Sequence, residues 1–219
     1  MRTGPFQADA KLCQQYSHGK QVADRLPLLA QFKNQYLKEG RIILGIDPGT
    51  TVMGYGLICE RAMKPELIGL GTLELSKIKD HFIRLRRIFE FTIQLIDRFH
   101  PDELAIEAPF YGKNIQSMLK LGRAQGVAIS AALSRDLPIF EYAPRKIKLS
   151  ITGEGSASKE QVAALLKRFL DIKDMPAKLD ATDGLAVAMC HYFQKELPVS
   201  ETNYRSWNDF IAKNPGRLI

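Results

Sequence analysis

Two short apolar runs that each end on a single acid mark the centre of this chain. Ile42-Ile43-Leu44 passes through Gly45-Ile46 into Asp47, and Leu104-Ala105-Ile106 ends on Glu107. Runs of this length, closed by Pro48-Gly49 and by Pro109, predict buried strands. Beyond the Asp47 turn, the stretch to Ile58 predicts a returning strand. Alternation from Glu66 to Leu75 predicts a third, so the opening reads as an antiparallel meander. The period then changes. Leu85, Ile88, Phe89, Thr92, Leu95, Ile96 and Phe99 recur at helical spacing between Asp80 and Phe99, and Pro101 stops that helix. Arg84, Arg87 and Arg98 fall on its other face, where a solvated surface is expected. Ser117 to Leu133 predicts a second helix. Its Gly122 and Gly126, one turn apart, would let another backbone approach, either the sheet of this chain or a second subunit. Leu137 to Tyr142 predicts the fifth strand, and Pro144 opens a helix over Arg145 to Ser150. Ser158 and Gln161 stand at capping-box spacing before a helix over Lys159 to Leu170. An Ala-rich helix follows over Ala177 to Phe193. A meander followed by strand-helix alternation predicts an α/β fold, a five-stranded mixed sheet flanked by helices.

The flanks carry less information. Residues 1–40 lack clear alternation and read as an N-terminal extension of unassigned role, an appended tail or a mis-assigned start. One domain is expected over 41–196 and a polar C-terminal tail over 197–219, with Trp207 and Phe210 as candidate anchors. Of the 219 residues, 45% are hydrophobic, enough for an ordinary packed core. No apolar run has the length of a membrane span. Cys13, Cys59 and Cys190 form no CxxC pair, so reduced thiols in a cytoplasmic protein are expected. The formal net charge of +7 points to a polyanionic partner, nucleic acid before membrane.

Position singles out four acids as candidate chemistry. Asp47 and Glu107 each close an apolar strand, where a lone carboxylate is costly without a partner. Asp47 also fits plain turn capping, since Asp-Pro-Gly is common turn chemistry. Asp180 and Asp183, three residues apart, share one helix face, although such a pair is more often merely solvated. If that face packs on the strand ends, four carboxylates converge, and oxygen-ligated divalent ions are their natural counter-charge. Two such ions about 3.5–4 Å apart can activate a water and steady the leaving oxygen of a phosphodiester. His18, His81, His100 and His191 are scattered and form no nucleophile motif; His191 reads as structural. Neither zinc-ligand spacing nor a Walker A loop is present. Lys113, Arg145, Lys146, Lys148 and Lys159 would serve a nucleic-acid backbone. Phe110 and Tyr111, between Pro109 and Gly112, place aromatics on a loop where bases can stack.

Five stretches together resemble one family. GIDPGTTVMGYG (45–56), AIEAPFYGKNIQSMLKLGRAQGVAI (105–129), FEYAPRKIK (140–148), GSASKEQV (155–162) and DATDGLAVA (180–188) are similar to RuvC, the bacterial Holliday-junction resolvases, in order and spacing from about Ile42 to Phe193. The resemblance implies a ribonuclease H-like fold. It also implies a homodimer that nicks two strands of like polarity symmetrically across a four-way DNA junction, in recombination and repair, leaving ligatable ends. Asp47, Glu107, Asp180 and Asp183 match the family's Mg²⁺-binding catalytic acids, for two ions per site with Mn²⁺ able to stand in. Lys148 and Lys159 match its active-site lysines, and Phe110 the aromatic that stacks near the crossover. The Gly122/Gly126 helix resembles the family's dimer helix, and RuvA and RuvB would be partners. Three other readings stay open on sequence. Asp-x-Gly-Thr-Thr also opens ATPase domains of the actin and sugar-kinase group, though this chain is short for two such domains. A related ribonuclease H-like family acts on ribosomal RNA precursors. The third is a junction-binding module without turnover.

Overall fold

The computed structural model describes residues 40–109, 114–173, 176 and 179–196. In chain order the elements are β1 (Arg41–Asp47), β2 (Val52–Arg61), β3 (Lys64–Glu74), α1 (His81–Phe99), β4 (Glu103–Glu107), α2 (Ile115–Leu133), β5 (Ile139–Tyr142), α3 (Pro144–Thr152), α4 (Lys159–Phe169) and α5 (Asp180–Glu196). The strands form one sheet in the order β3-β2-β1-β4-β5. β1, β2 and β3 are the antiparallel meander, whereas β4 runs parallel to β1 and β5 parallel to β4.

Strand alternation divides the core into two layers. Ile42, Leu44 and Ile46 of β1 and Leu104 and Ile106 of β4 pack with α1 and α2. Ile43 of β1 and Ala105 of β4 pack with α3, α4 and α5 on the opposite face. On that second face α5 lies directly on the sheet. A Cβ added to Gly45 would stand 2.5 Å from the Ala188 backbone nitrogen, and one on Gly56 would stand 2.6 Å from that of Leu185. A Cβ on Gly54 would collide with the Asp180 carbonyl oxygen, and one on Gly184 with the Tyr55 backbone. Glycines on both partners therefore let helix and strands meet backbone to backbone, a role glycine alone can fill.

The ends of the elements follow local chemistry. Asp80 caps α1 by accepting from the Ile83 N–H at 2.9 Å, and Asn114 caps α2 by accepting from Ser117 N–H at 3.1 Å. The Ser158/Gln161 capping box is formed. Several expected bounds shift. β2 runs on to Arg61, because Ala62 and Met63 both take positive φ and make the turn that the sequence reading put earlier. α3 begins at Pro144 itself and extends to Thr152, where Gly153 takes the left-handed C-cap conformation. β5 starts only at Ile139, and α5 at Asp180 rather than 177. Phe89, expected on the buried stripe of α1, is 38% exposed. Arg84 is not on a solvated face: its Nε donates to Ile78 O at 2.6 Å and its NH1 to Thr50 O at 2.9 Å, bracing the turn after Asp47. Cys59 and Cys190 are buried free thiols; Cys13 lies outside the described residues, as do the proposed extension (except Gly40) and tail. Among the described residues no helix is long and apolar enough to cross a membrane.

The close approach of α5 gives a sharp test. Alanine is favoured over glycine in a helix by about 1 kcal/mol. Gly184→Ala is nevertheless expected to destabilise the protein by about 1–3 kcal/mol through overpacking, read as a lower Tm by calorimetry. Gly69→Ala, where nothing lies within 4 Å of the added carbon, stays within about 0.5 kcal/mol of the parent.

Candidate active site

The last paired residues of β1 and β4 are Ile46 and Ile106, so the next residue of each parallel strand, Asp47 and Glu107, stand side by side where the strands end. Alternation puts Asp47 on the same face as Ile43 and Gly45, and Glu107 on the face of Ala105, the face that α5 covers. Asp47 pairs with Gly54, and Gly54 lies beneath the Asp180 carbonyl, so the N-terminus of α5 opens directly over the strand ends. Asp180 and Asp183 occupy its first turn, where the helix dipole favours negative charge. The structure thus brings all four sequence-predicted acids to one corner.

Lys159, the first residue of α4, bridges the helix pair. Its Nζ stands 2.5 Å from Asp183 Oδ2 and 3.5 Å from Asp180 Oδ1. Burial acts against its charge, but the hydrogen bond to Asp183 and the fields of Asp183, Asp180 and Asp47 hold the ammonium above its ordinary value. That single cation does not satisfy the corner. Burial, then the charges of Asp183 and Asp180, push the Asp47 carboxyl up to about 7 against the pull of Lys159. Burial, then Asp47 and Asp183, push Glu107 up to about 8, with Lys159 and Lys148 pulling it down. Asp183 is raised chiefly by burial, with Lys159 opposing. Carboxyls that keep protons near neutrality report an excess of negative charge in a poorly solvated place.

The second end of α5 is held as firmly as the first is crowded. His191 is 1% exposed. Its Nε2 meets Glu103 Oε2 at 2.7 Å and its Nδ1 meets the Tyr142 hydroxyl at 2.6 Å. Burial, then Cys190 and Glu103, push the Tyr142 phenol up to about 12, so it stays protonated and donates to Nδ1. Nε2–H then donates to the carboxylate, which also meets Arg41 NH1 at 3.3 Å. The spacings agree: Asp183 to His191 is eight helical residues, about 12 Å, and Glu107 to Glu103 is four strand residues, about 13 Å. Helix α5 and β4 therefore meet at both ends, Asp183 near Glu107 and His191 on Glu103. The sequence reading took His191 as structural and overlooked Glu103; the signal was there in Glu103 and Glu107 sharing one strand face. Gln125 was overlooked too. It is buried on α2 and donates to Glu141 Oε2 at 3.0 Å and to Glu107 O at 3.4 Å, tying that helix to the strand ends.

Lys148, on α3, is near enough for its charge to act on Glu107 and Asp183. Arg145 and Lys146 are placed less centrally. Arg145 runs over Gly155, and Lys146 Nζ stands 5.3 Å from the Tyr142 ring centroid. Phe110, Tyr111 and Lys113 lie outside the described residues.

Residues 43–191 match the family described as crossover junction endodeoxyribonuclease RuvC. The chain is 60% identical over 186 residues to the crossover junction endodeoxyribonuclease RuvC of Bacteroides fragilis, a match that spans 84% of this chain and 98% of that protein. The chain belongs to the RuvC family. Thermus thermophilus RuvC, solved in complex with a Holliday junction substrate, superposes with a TM-score of 0.66 at 30% identity over 71% of this chain and 94% of that one. The yeast mitochondrial Holliday junction resolvase Ydc2 shares the fold, with a TM-score of 0.54 at 16% identity over 85% of this chain and 89% of that one. The fold, a five-stranded mixed sheet flanked by helices, is ribonuclease H-like, as in these resolvases.

RuvC-family enzymes are metal-dependent nucleases, and this donor set fits a metal. Four carboxylates offer hard oxygen ligands, and the raised Asp47 and Glu107 mark a deficit of positive charge that a divalent cation would fill. Among the described residues no three His, Cys, Asp or Glu side chains are already drawn together as a metal cage; in this RuvC-family site Lys159 provides the counter-charge instead.

The raised carboxyls have a thermodynamic consequence. The unfolded chain releases these protons near pH 4, whereas the folded metal-free protein holds them to about 7 and about 8. Between those limits the folded state binds more protons, so its stability falls as pH rises. The metal-free Tm is expected to drop between about pH 5 and about pH 8, less so in Asp47→Asn. At about pH 8 that variant should melt about 2–4 °C above the parent, the shift that ~1 kcal/mol produces in a chain of this size. Differential scanning fluorimetry in a chelating buffer measures both; a flat pH profile in the parent contradicts the charge crowding.

Proposed function

We propose that this chain is a Mg²⁺-dependent endonuclease that resolves four-way DNA junctions by paired, symmetric nicking. The observation that carries the reading is the convergence of Asp47, Glu107, Asp180 and Asp183 at one corner of the sheet with Lys159 and Lys148 alongside. The four acids would hold the metal, two ions at full occupancy, with Mn²⁺ able to substitute. Divalent ions there supply the charge that activates a water and steadies the departing oxygen. Asp47 and Glu107, projecting from adjacent rigid strands, fix where the phosphodiester lies. Asp180 and Asp183 close the corner from α5. With the acids' charge met by cations, Lys159 would be released from them, and its ammonium, with that of Lys148, would be available to the scissile phosphate. The junction complex of the Thermus relative supports the choice of substrate. Family membership supports RuvA and RuvB as partners, in the cytoplasm.

The expected outcome is cleavage of a synthetic four-way junction with Mg²⁺ and none with chelator. Asp47→Asn and Asp183→Asn should each lose about 10²–10³-fold or more in the single-turnover rate, the cost of removing one group that answers developing charge. Full activity of either variant overturns the assignment.

A homodimer is the second part of the proposal. Ile115, Leu119, Gly122, Gly126 and Leu133 recur at i, i+4, i+7, i+11 and i+18, which places them on one stripe of α2. Ile115, Leu119 and Leu133 are 60%, 50% and 60% exposed, and nothing lies within 4 Å of a carbon added at either glycine. The sheet of this chain therefore does not use the two glycines, which supports the other reading of them, contact with a second subunit. Leu119→Glu is expected to convert the dimer to monomer at micromolar concentration by sedimentation equilibrium. It should uncouple the two nicks, so that nicked junctions accumulate.

A further inference from the structure

A second polar site lies beyond the four acids. On the α1/α2 face, at the same end of the sheet, a cleft of about 420 Å³ opens between the Thr50-Thr51 turn, the start of α1 and the first turns of α2. That volume falls within the ~300–1,000 Å³ range of ligand clefts. Lys79, His81, Arg84 and Lys120 line it together with Thr50 and Ser117, and among the described residues none that lines it is acidic. We propose that this cleft takes a backbone phosphate of the junction strand, close to the scissile phosphate, and that it sets the strand's register across the acids. The inference rests on the nuclease reading above and adds to it a second anchoring point.

Three observations carry it. Lys79, His81 and Arg84 come from the loop before α1 and from its first turn, and Lys120 comes from α2, so the fold brings the charge of two separate segments to one cleft. Lys79 and Lys120 have no ion-pair partner among the described residues. Arg84 is already anchored through Nε and NH1 to Ile78 O and Thr50 O, so its guanidinium is ordered before a ligand arrives.

Distance fixes which phosphates can reach the cleft. Thr50 follows Asp47 by three residues, so their Cα atoms are at most ~10 Å apart. Successive phosphates of one strand advance ~3.4 Å along a duplex axis. A strand that spans both sites, with its scissile phosphate at the acids, would therefore present to the cleft a phosphate within about three nucleotides of the cleavage position. The same turn carries both sites: Arg84 holds Thr50, and Thr50 continues directly from Asp47 through Pro48-Gly49.

The test uses the full chain, a synthetic four-way junction and chelator, so that binding is read without cleavage. Lys79→Ala/Lys120→Ala is expected to weaken junction binding roughly tenfold at low salt and to reduce the slope of log K against log salt by about 0.9, one phosphate's share. A single neutral methylphosphonate, scanned up to three nucleotides either side of the cleavage position, should weaken the parent at one position and add nothing there in the double variant. Lys167→Ala/Lys173→Ala, which removes the same charge from exposed positions outside the cleft, should leave binding within about twofold, a difference that net charge alone would erase. Equal loss in both pairs overturns the proposal, and so does a scan without a sensitive position, the result for a cleft that holds only free inorganic phosphate. A parent protein that fails to bind the junction at all brings down the nuclease reading instead.

Discussion

The structure depends on α5 lying close against β1 and β2, where glycines on both let backbone meet backbone. Gly45, Gly54 and Gly56 on the strands and Gly184 on the helix remove the carbons that would hold the two apart. Everything at the site follows from that approach. Asp180 and Asp183 arrive beside Asp47 because the helix axis is a backbone's width from the sheet, not a leucine's. The same closeness makes the corner poorly solvated, and poor solvation drives the Asp47 and Glu107 carboxyls upward. The geometry that would suit a metal is therefore also the geometry that leaves these carboxyls short of positive charge without one. Proteins commonly accept such a local cost at a working site and recover it through the rest of the core.

The two faces of the sheet divide the labour. The α3/α4/α5 face carries the acids and their lysines. The α1/α2 face carries the basic cleft and the exposed stripe of α2. The turn after Asp47 is shared, since its first residues lead from the acids and its Thr50 carbonyl is gripped by Arg84 from α1. Gln125 makes a comparable link on the other side, from α2 to the ends of β4 and β5. The strand ends that carry Asp47 and Glu107 are thereby fastened to helices on both faces, which holds these charged groups at fixed separation.

Much of this was legible in the chain. Apolar runs closing on Asp47 and Glu107 gave the two central strands, and period two gave the face on which the acids emerge. The capping box at Ser158 and the proline at the start of α3 gave helix starts. What escaped was long-range. Nothing local distinguishes Arg84, which braces a turn thirty-four positions away, from Arg87, which pairs with Glu90 on its own helix. His191 reads as structural from the sequence and is so, but its partners, Glu103 and Tyr142, cannot be read locally because they are distant in sequence. Phe89 fits the helical period yet is partly exposed, since periodicity reports an angle around the helix and not where the neighbouring layer ends. The glycines of β1 and β2 carry no local mark of the helix they admit.

The match between α5 and β4 has a mechanical meaning. At one end of the pair, carboxylates face carboxylates; at the other, an imidazole is hydrogen-bonded between a phenol and a carboxylate that an arginine also holds. Repulsion at the open end is not readily relieved by sliding the helix away, because the far end is bolted to β4 and the helix lies backbone to backbone on β1 and β2. The crowding has two outlets left, a proton or a cation. A buried histidine some twelve ångströms from the chemistry thus helps to determine how strongly the corner demands positive charge.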